Sequence, residues 1–520
     1  MRLFWRHFSD SKVTKKNANG KNLVSLHTKK MIFLPMESTI LICFLVYTLL
    51  LFVVMWLTSR RGGGNDAFFR GGRRSPWPVV AYGMIGASLS GVTFMSVPGN
   101  VYTDQFTYMP LVFGYVLGYA VIALVLLPLY YRLNLTSIYT YLNQRFGVAS
   151  EKTGALFFIL SRLLGSAMRM YLVVFVLYEF VFRAWGVPFW VPAVIFIAII
   201  LLYTLRSGVK TVVWTDMLQT TFLLLAAIVT VVAILGELDL SLPELLRRSS
   251  AAGHTRLWET DPANSRYFVK QILSGMFITI TMTGLDQDMM QKNLTCRNLR
   301  DAQKNVLTSS LLFIVVNILF LTLGAALVEY TDMSGFALPV NEAGTVVNDK
   351  IFPSIAFHLS SFTAVVFVLG MVAAGYSSAD GTLTALTTTF CYDFLGFRAD
   401  TDDQRRQVRV RRWVHVAFAL LYLLVIVAFR PFHTQSLINT LFDVAGFTYG
   451  PLLGLYTFGL FTRRQVRDRW VPVVAVASPV ICYLLKLYMP QWTGYHFGFE
   501  ILLLNGLLTF VGLLLIKSKR

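Results

Sequence analysis

Long apolar stretches recur along almost the whole chain and constrain its fold more than any other feature. A helix needs roughly 20 mainly apolar residues to cross the hydrocarbon core of a bilayer, and we count about thirteen such stretches. They lie near 36–58, 77–97, 109–131, 154–182, 188–205, 211–236, 270–290, 305–328, 353–390, 413–430, 436–461, 470–488 and 498–516. Because helices satisfy their own backbone hydrogen bonds in lipid, the sequence predicts an all-α polytopic membrane protein.

Composition supports lipid as the solvent of this chain. It is 55% hydrophobic and only 14% charged, whereas soluble domains carry about 25% charged residues. We interpret the formal net charge of +19 as basic residues collected in cytoplasmic loops rather than as a surface for nucleic acid. The four cysteines lie far apart, without the spacing of a disulfide framework or a zinc site. We therefore predict a lipid bilayer as its surroundings, and neither a nucleic-acid partner nor an obligatory protein partner.

The distribution of basic residues between the spans predicts the orientation. The basic loops contain Arg60–Arg74, Arg132 and Arg145, Arg206 and Lys210, Lys292–Lys304, Arg405–Arg412, Arg463–Arg469 and Lys517–Arg520. By the positive-inside rule the carboxyl terminus is cytoplasmic, and an odd number of spans places the amino terminus outside the plasma (inner) membrane. Residues 1–35 are basic and contradict that placement. We expect them to be a disordered extension or to lie upstream of a true start at Met31 or Met36.

Polar residues inside the spans are the candidates for function, because they are costly in lipid. Hydroxyl and glycine residues precede Pro98-Gly99 in the second span, which indicates either close helix packing or an unwound helix facing a cavity. Arg162, Gly165, Ser166 and Arg169 share one face of the fourth span. These arginines either pair with structural carboxylates or bind an anionic group of a substrate.

Two further spans carry oxygen-rich patches. Asp216 stands beside Thr215 and Gln219 in the sixth span, and a run of serines and threonines that includes Asp380 occupies the ninth. Hard cations such as sodium take oxygen ligands. The chain contains no HExxH, Walker A or GxSxG motif, so the sequence does not indicate an enzyme.

Several stretches together resemble the sodium/solute symporter family, in particular bacterial sodium/sugar and sodium/sialic acid symporters, over nearly all of residues 36–516. The stretches are Ser90–Phe94, Thr136–Gly147, Val213–Gln219, Gly284–Lys292, Ala374–Ser378 and Gly446–Leu452. The resemblance implies a leucine-transporter-type core of two inverted five-helix repeats, 77–236 and 270–461. The helix at 36–58 and two helices within 470–516 would lie outside this core.

The same resemblance implies a secondary active symporter that imports a small organic solute with sodium by alternating access. Sodium would be the coupling ion, and no other cofactor is implied. The family's sodium site maps onto the backbone carbonyls of Gly86, Leu89 and Ala374 and the hydroxyls of Ser377 and Ser378.

A second cation site is present in some relatives, formed by an aspartate that matches Asp216 and by serines further along the ninth span. Here those serine positions are Asp380 and Gly381. Asp216 and Asp380 thus form a candidate site at which Asp380 binds either sodium or a proton, and the sodium stoichiometry stays open.

The substrate residues follow the sialic acid symporters, in which an arginine of the third core helix binds the carboxylate. The candidates are Ser88, Ser90, Thr93, Arg162, Arg169 and, from the sugar carriers, Asp286. We therefore predict a sugar acid such as sialic acid as the solute. A neutral sugar, a monocarboxylate or an amino acid is the alternative, and a proton-coupled carrier or a transporter-like sensor is a further one.

Overall fold

The computed structural model describes residues 36–59, 65–262, 264–341, 344–397, 404–429 and 437–517. The predicted amino-terminal extension, residues 1–35, lies outside these ranges. Within them the regular structure is helical, which confirms the all-α prediction.

The first half of the chain supplies ten helices in the described ranges. They are α1 (Met36–Ser59), α2 (Asn65–Arg70), α3 (Trp77–Ser88), α4 (Gly91–Asp104), α5 (Met109–Arg132), α6 (Thr140–Arg145), α7 (Val148–Phe182), α8 (Trp190–Ser207), α9 (Val209–Glu237) and α10 (Leu242–Ala251).

The second half supplies the remaining described helices. They are α11 (Phe268–Gly284), α12 (Gln287–Asn293), α13 (Leu299–Ser334), α14 (Asn348–Leu359), α15 (Ser361–Phe394), α16 (Gln404–Ala428), α17 (Leu437–Phe461), α18 (Val471–Thr493) and α19 (Ile501–Leu515).

Two of the predicted spans are broken helices. The axes of α3 and α4 differ by 62°, and those of α11 and α12 by 71°. Among the described residues, nine further helices are long and apolar enough to cross a bilayer, and two shorter apolar helices lie at Trp190–Leu205 and Ile501–Leu515. These segments coincide with the predicted stretches, while the number that crosses a membrane stays a prediction.

One predicted span is wrong in its bounds. Residues 353–390 were expected to form one long helix, but the chain is extended at Ser360, with φ −168° and ψ 158°. The Ser360 hydroxyl accepts a hydrogen bond from the Thr363 backbone N–H at 3.1 Å and caps α15. A capped start of this kind separates α14 from α15 because the side chain replaces a helical backbone partner.

The broken helices lie in the centre of the helix packing. Helix α9 packs between α3 and α15, and α7 packs against both α15 and α17. Glycines permit the close approach of α3 to α9: a Cβ at Gly86 would collide with Thr220, whose hydroxyl accepts a hydrogen bond from the Gly86 N–H at 3.0 Å. The two helix breaks thus face the long helices that carry the arginines and the serine-rich patch.

Candidate functional site

A cavity of about 80 Å³ lies against the break between α3 and α4. Ser88, Leu89 and Thr93 reach it from the break, and Arg162 and Arg169 reach it from α7. The rest of its lining includes Tyr108, Tyr115 and Tyr119, Asn317, and apolar side chains of α11 and α17. Four of the predicted substrate residues therefore share one cavity, which is mostly apolar with a few convergent polar groups, as small-molecule sites usually are.

The other two predicted substrate residues, Ser90 and Asp286, are not part of the cavity lining. Each stands at the helix break and caps the half-helix that follows: Ser90 accepts from the Thr93 N–H at 3.4 Å, and Asp286 accepts from the Met289 N–H at 3.1 Å. Asp286 also accepts a hydrogen bond from the Tyr449 hydroxyl at 2.6 Å. Their polar atoms are used to begin α4 and α12.

The two arginines of α7 have different surroundings. Arg162 is 3% exposed, forms a salt bridge with Asp288, and places Nη1 3.6 Å from Asp286 Oδ2. Arg169 is 7% exposed and forms no salt bridge with any residue that the structure describes. Its Nε likewise has no hydrogen-bond partner. Arg162 is thus neutralised by the protein, whereas Arg169 brings an uncompensated positive charge to the cavity.

A chain of buried charges connects the cavity to the serine-rich patch of α15. Arg162 pairs with Asp288, and Lys292 Nζ lies 3.4 Å from Asp288 Oδ1 and 2.9 Å from Asp216 Oδ2. Asp216 in turn accepts a hydrogen bond from the Ser377 hydroxyl at 2.6 Å. Each member is at most 3% exposed. The sequence of alternating charges satisfies groups that would be very costly to bury alone.

The predicted sodium ligands lie on two helices that contact each other, α3 and α15. Leu89 has φ −84° and ψ 99°, so the helix ends there and nearby carbonyls leave helical hydrogen bonding. Ala374, Ser377 and Ser378 are at most 1% exposed, and Ser378 Oγ lies 3.3 Å from the Ser166 hydroxyl. A Cβ on Gly86 would meet Thr220 of α9, and the Ser377 hydroxyl donates a hydrogen bond to Asp216, which is also on α9. The sodium site formed by these residues stays a prediction.

The second candidate cation site lies where α9 meets α15. Asp380 Oδ2 accepts hydrogen bonds from Tyr203 at 2.8 Å and Thr215 at 3.3 Å. The Gln219 amide is within 3.4 Å of Asp380 Oδ2 and, with its nitrogen and oxygen exchanged, within 3.2 Å of Asp216 Oδ1. The two acids are therefore neighbours across one amide, and each has its own set of donors.

Sequence reasoning missed one member of the charge chain and misplaced another. Lys292 was assigned to a basic cytoplasmic loop, but it is 2% exposed within α12, since the chain refolds into a helix after the break at Asp286. Asp288, and Tyr449, which donates a hydrogen bond to Asp286, were not singled out. The available signal was the pair of opposite charges at Asp288 and Lys292, four residues apart on one helical face.

The class of protein follows from this arrangement: two broken helices beside a cavity, with a buried patch of serine and aspartate side chains, are typical of membrane transporters built like secondary carriers. The family model described as "Sodium:solute symporter family" matches residues 68–467. This chain belongs to the sodium:solute symporter family.

Similar proteins agree with that assignment. The sodium/sialic acid symporter SiaT of Proteus mirabilis is 25% identical over 85% of this chain and 88% of its own length. The sodium/sialic acid symporter NanT of Aliivibrio fischeri is 25% identical over 81% of this chain and 83% of its own length. The prediction of a sodium-coupled symporter rather than an enzyme is confirmed at the level of this family.

A solved structure shows the same fold. The substrate-bound outward-open structure of a Na⁺-coupled sialic acid symporter superposes with a TM-score of 0.78 and 21% sequence identity. The match covers 94% of this chain and all of that one (100%). The chain therefore shares the helical fold of that structure.

Proposed function

We propose that this protein imports a carboxylated solute, a sugar acid such as sialic acid, together with sodium. The observation that carries the proposal is the guanidinium of Arg169 on the cavity wall, which forms no salt bridge with any residue that the structure describes. A buried arginine without a protein carboxylate is suited to a bidentate pair with the carboxylate of a ligand. The sialic acid symporters among its relatives support the choice of sugar acid.

The remaining cavity groups suit the rest of such a solute. Ser88 and Thr93 provide hydroxyls beside the arginines, and Asn317 provides an amide. Tyr108 and Tyr115 add aromatic surface, and their hydroxyls lie 3.1 Å apart. Hydroxyl and amide groups can bind the hydroxyls of a sugar, while the aromatic rings cover its apolar face.

Sodium would bind between α3 and α15 through the carbonyls of Gly86, Leu89 and Ala374 and the hydroxyls of Ser377 and Ser378. Oxygen ligands from two separate helices make ion binding depend on the distance between those helices. Sodium would therefore stabilise the conformation in which the helices are close, and their separation would release it. This is how the ion gradient would drive the solute inward.

The proposal includes the topology. The repeats 77–236 and 270–461 would form the transporting core, each beginning with a broken helix. The protein would lie in the plasma (inner) membrane with its carboxyl terminus in the cytoplasm and its amino terminus outside, in line with the distribution of basic residues.

The test is uptake of radiolabelled sialic acid into proteoliposomes, with and without an inward sodium gradient. We expect gradient-driven uptake in the wild type and, for Arg169→Gln, a rise in KM of at least about tenfold, because a charge-assisted pair is worth about 1.5–3 kcal/mol. Arg183→Gln is the matched control, since Arg183 is an exposed arginine just beyond the same helix. Unchanged KM in Arg169→Gln, or uptake of neutral sugars alone, would contradict a carboxylated solute.

A further inference from the structure

A lysine lies inside the acidic cluster where α9, α12 and α15 meet. Lys292 is 2% exposed, and its Nζ lies 2.9 Å from Asp216 Oδ2 and 3.4 Å from Asp288 Oδ1. Both carboxylates are almost fully buried, Asp216 at 1% and Asp288 at 2%. A buried ionised carboxylate is costly unless hydrogen bonds or an opposite charge compensate it. Here that countercharge for Asp216 is covalently part of the chain.

Gly381 provides the space for this ammonium against α15. A Cβ built on Gly381 would lie 2.8 Å from Lys292 Nζ and would also collide with Asp288 Oδ1. Contacts this short do not occur between packed side chains, so a side chain at 381 would force the ammonium or the Asp288 carboxylate to move. The lysine thus fills the volume that a larger residue at this position of α15 would occupy.

The adjacent acid, Asp380, forms no salt bridge with Lys292. Its Oδ2 accepts hydrogen bonds from Tyr203 on α8 and from Thr215 on α9, and it forms no salt bridge with any residue in the described part of the chain. The ammonium is therefore directed to Asp216 and Asp288. Asp216 also accepts from the Ser377 hydroxyl, which places the fixed charge one hydrogen bond away from a predicted sodium ligand.

We propose that the Lys292 ammonium is a tethered cation at the junction of α9 and α15, and that this chain consequently binds a single sodium ion per transport cycle. The inference rests on the proposed sodium-coupled function and specifies its stoichiometry. A second sodium ion beside Asp216 would come within a few ångströms of the ammonium, and like charges at that distance repel strongly in a buried, low-dielectric site. The one sodium ion binds at the site of Gly86, Leu89, Ala374, Ser377 and Ser378.

The experiment counts sodium ions bound at equilibrium by the purified full-length protein in detergent, using radioactive sodium and no solute. We expect one ion per chain in the wild type and in Lys292→Arg, which keeps the charge. We expect two ions in Lys292→Met, because the vacated position beside Asp216 then accepts sodium. In a Ser377→Ala/Ser378→Ala background the wild-type ion is lost, and Lys292→Met retains the one beside Asp216.

A charge-balanced variant covers the case in which Lys292→Met does not fold. Lys292→Met/Asp288→Asn removes one positive and one negative charge, leaves Asp216 in place, and is expected to bind two ions. Two ions in the wild type would overturn the inference while leaving sodium-coupled uptake intact. One ion in both Lys292→Met and Lys292→Met/Asp288→Asn would do the same. No sodium bound by the wild type would overturn the proposed sodium coupling as well, so the two failures are distinguishable.

Discussion

The Ser377 hydroxyl donates a hydrogen bond to Asp216 Oδ1 at 2.6 Å, and both residues are at most 1% exposed. Because the hydroxyl hydrogen is directed to the carboxylate, the lone pairs of the serine oxygen remain available to coordinate a cation. We therefore expect Asp216 to act as a positioning residue for the predicted sodium site. It connects that site to Lys292, 2.9 Å away on α12.

Replacing Asp216 by asparagine tests this relationship. The amide keeps the size of the side chain but removes the charge, so Ser377 loses a charge-assisted hydrogen bond worth about 1.5–3 kcal/mol. We expect the sodium concentration for half-maximal uptake to rise by roughly tenfold or more, with the solute KM at saturating sodium little changed. Thr230→Val on the same helix is the control, because Thr230 bonds only to its own helix, at Ala226 O. Equal sodium dependence in Asp216→Asn and the control would refute the positioning role.

Substitutions of the two arginines of α7 should have different effects: we expect Arg162 to matter for stability and Arg169 for substrate binding. Arg162→Gln leaves Asp286 and Asp288 without their guanidinium, and breaking a buried ion pair typically costs about 3–5 kcal/mol. We expect a clear fall in the thermal denaturation midpoint of the detergent-solubilised protein. Arg169→Gln removes no described salt bridge and should leave the midpoint close to that of the wild type. Comparable destabilisation by both variants would show that Arg169 has a structural partner after all.

The helical spans and one helix break could be predicted from the sequence, because each depends on local residue types. Apolar stretches of bilayer length mark the helices, and the hydroxyl residues before Pro98-Gly99 mark the break after α3. Ser88, Thr93, Arg162 and Arg169 were predicted as substrate residues from the resemblance to sialic acid symporters, and in the structure all four line one cavity.

The charge chain could not be predicted in the same way. Lys292 follows an apolar stretch, and a basic residue there resembles a loop residue. Its burial depends on a tertiary fact, namely that α12 turns back at Asp286 by 71° relative to α11 and so contacts α9 and α15. The sequence also does not indicate that Arg162 has a carboxylate partner and Arg169 has none among the described residues. The partner of Arg162, Asp288, is distant in sequence from both arginines.

The packing of α3 on α9 predicts that a second substitution can relieve the effect of a first. A methyl group at residue 86 would overlap the Thr220 hydroxyl, and overpacking of this kind costs about 1–3 kcal/mol. We expect Gly86→Ala to lower both the thermal midpoint and sodium-driven uptake. Gly86→Ala/Thr220→Ala should recover much of the midpoint, since the second change removes the overlapping atom. Additive losses in the double variant would mean that the two residues do not meet as the structure shows.

Gly381 offers the corresponding test beside Lys292. Its alanine variant would force the ammonium and the Asp288 carboxylate away from α15. We expect the free energy of unfolding to fall by about 1–3 kcal/mol, the usual cost of an overpacked core, and the thermal midpoint to fall with it. Gly236→Ala is the matched control, because Gly236 is also helical and a Cβ there has nothing within 4 Å. In a Lys292→Met background the cost of Gly381→Ala should shrink, since one of the three overlapping atoms is then gone. An unchanged midpoint in Gly381→Ala would show that the ammonium does not occupy this space, and a cost independent of Lys292 would assign the overlap to Asp288 alone.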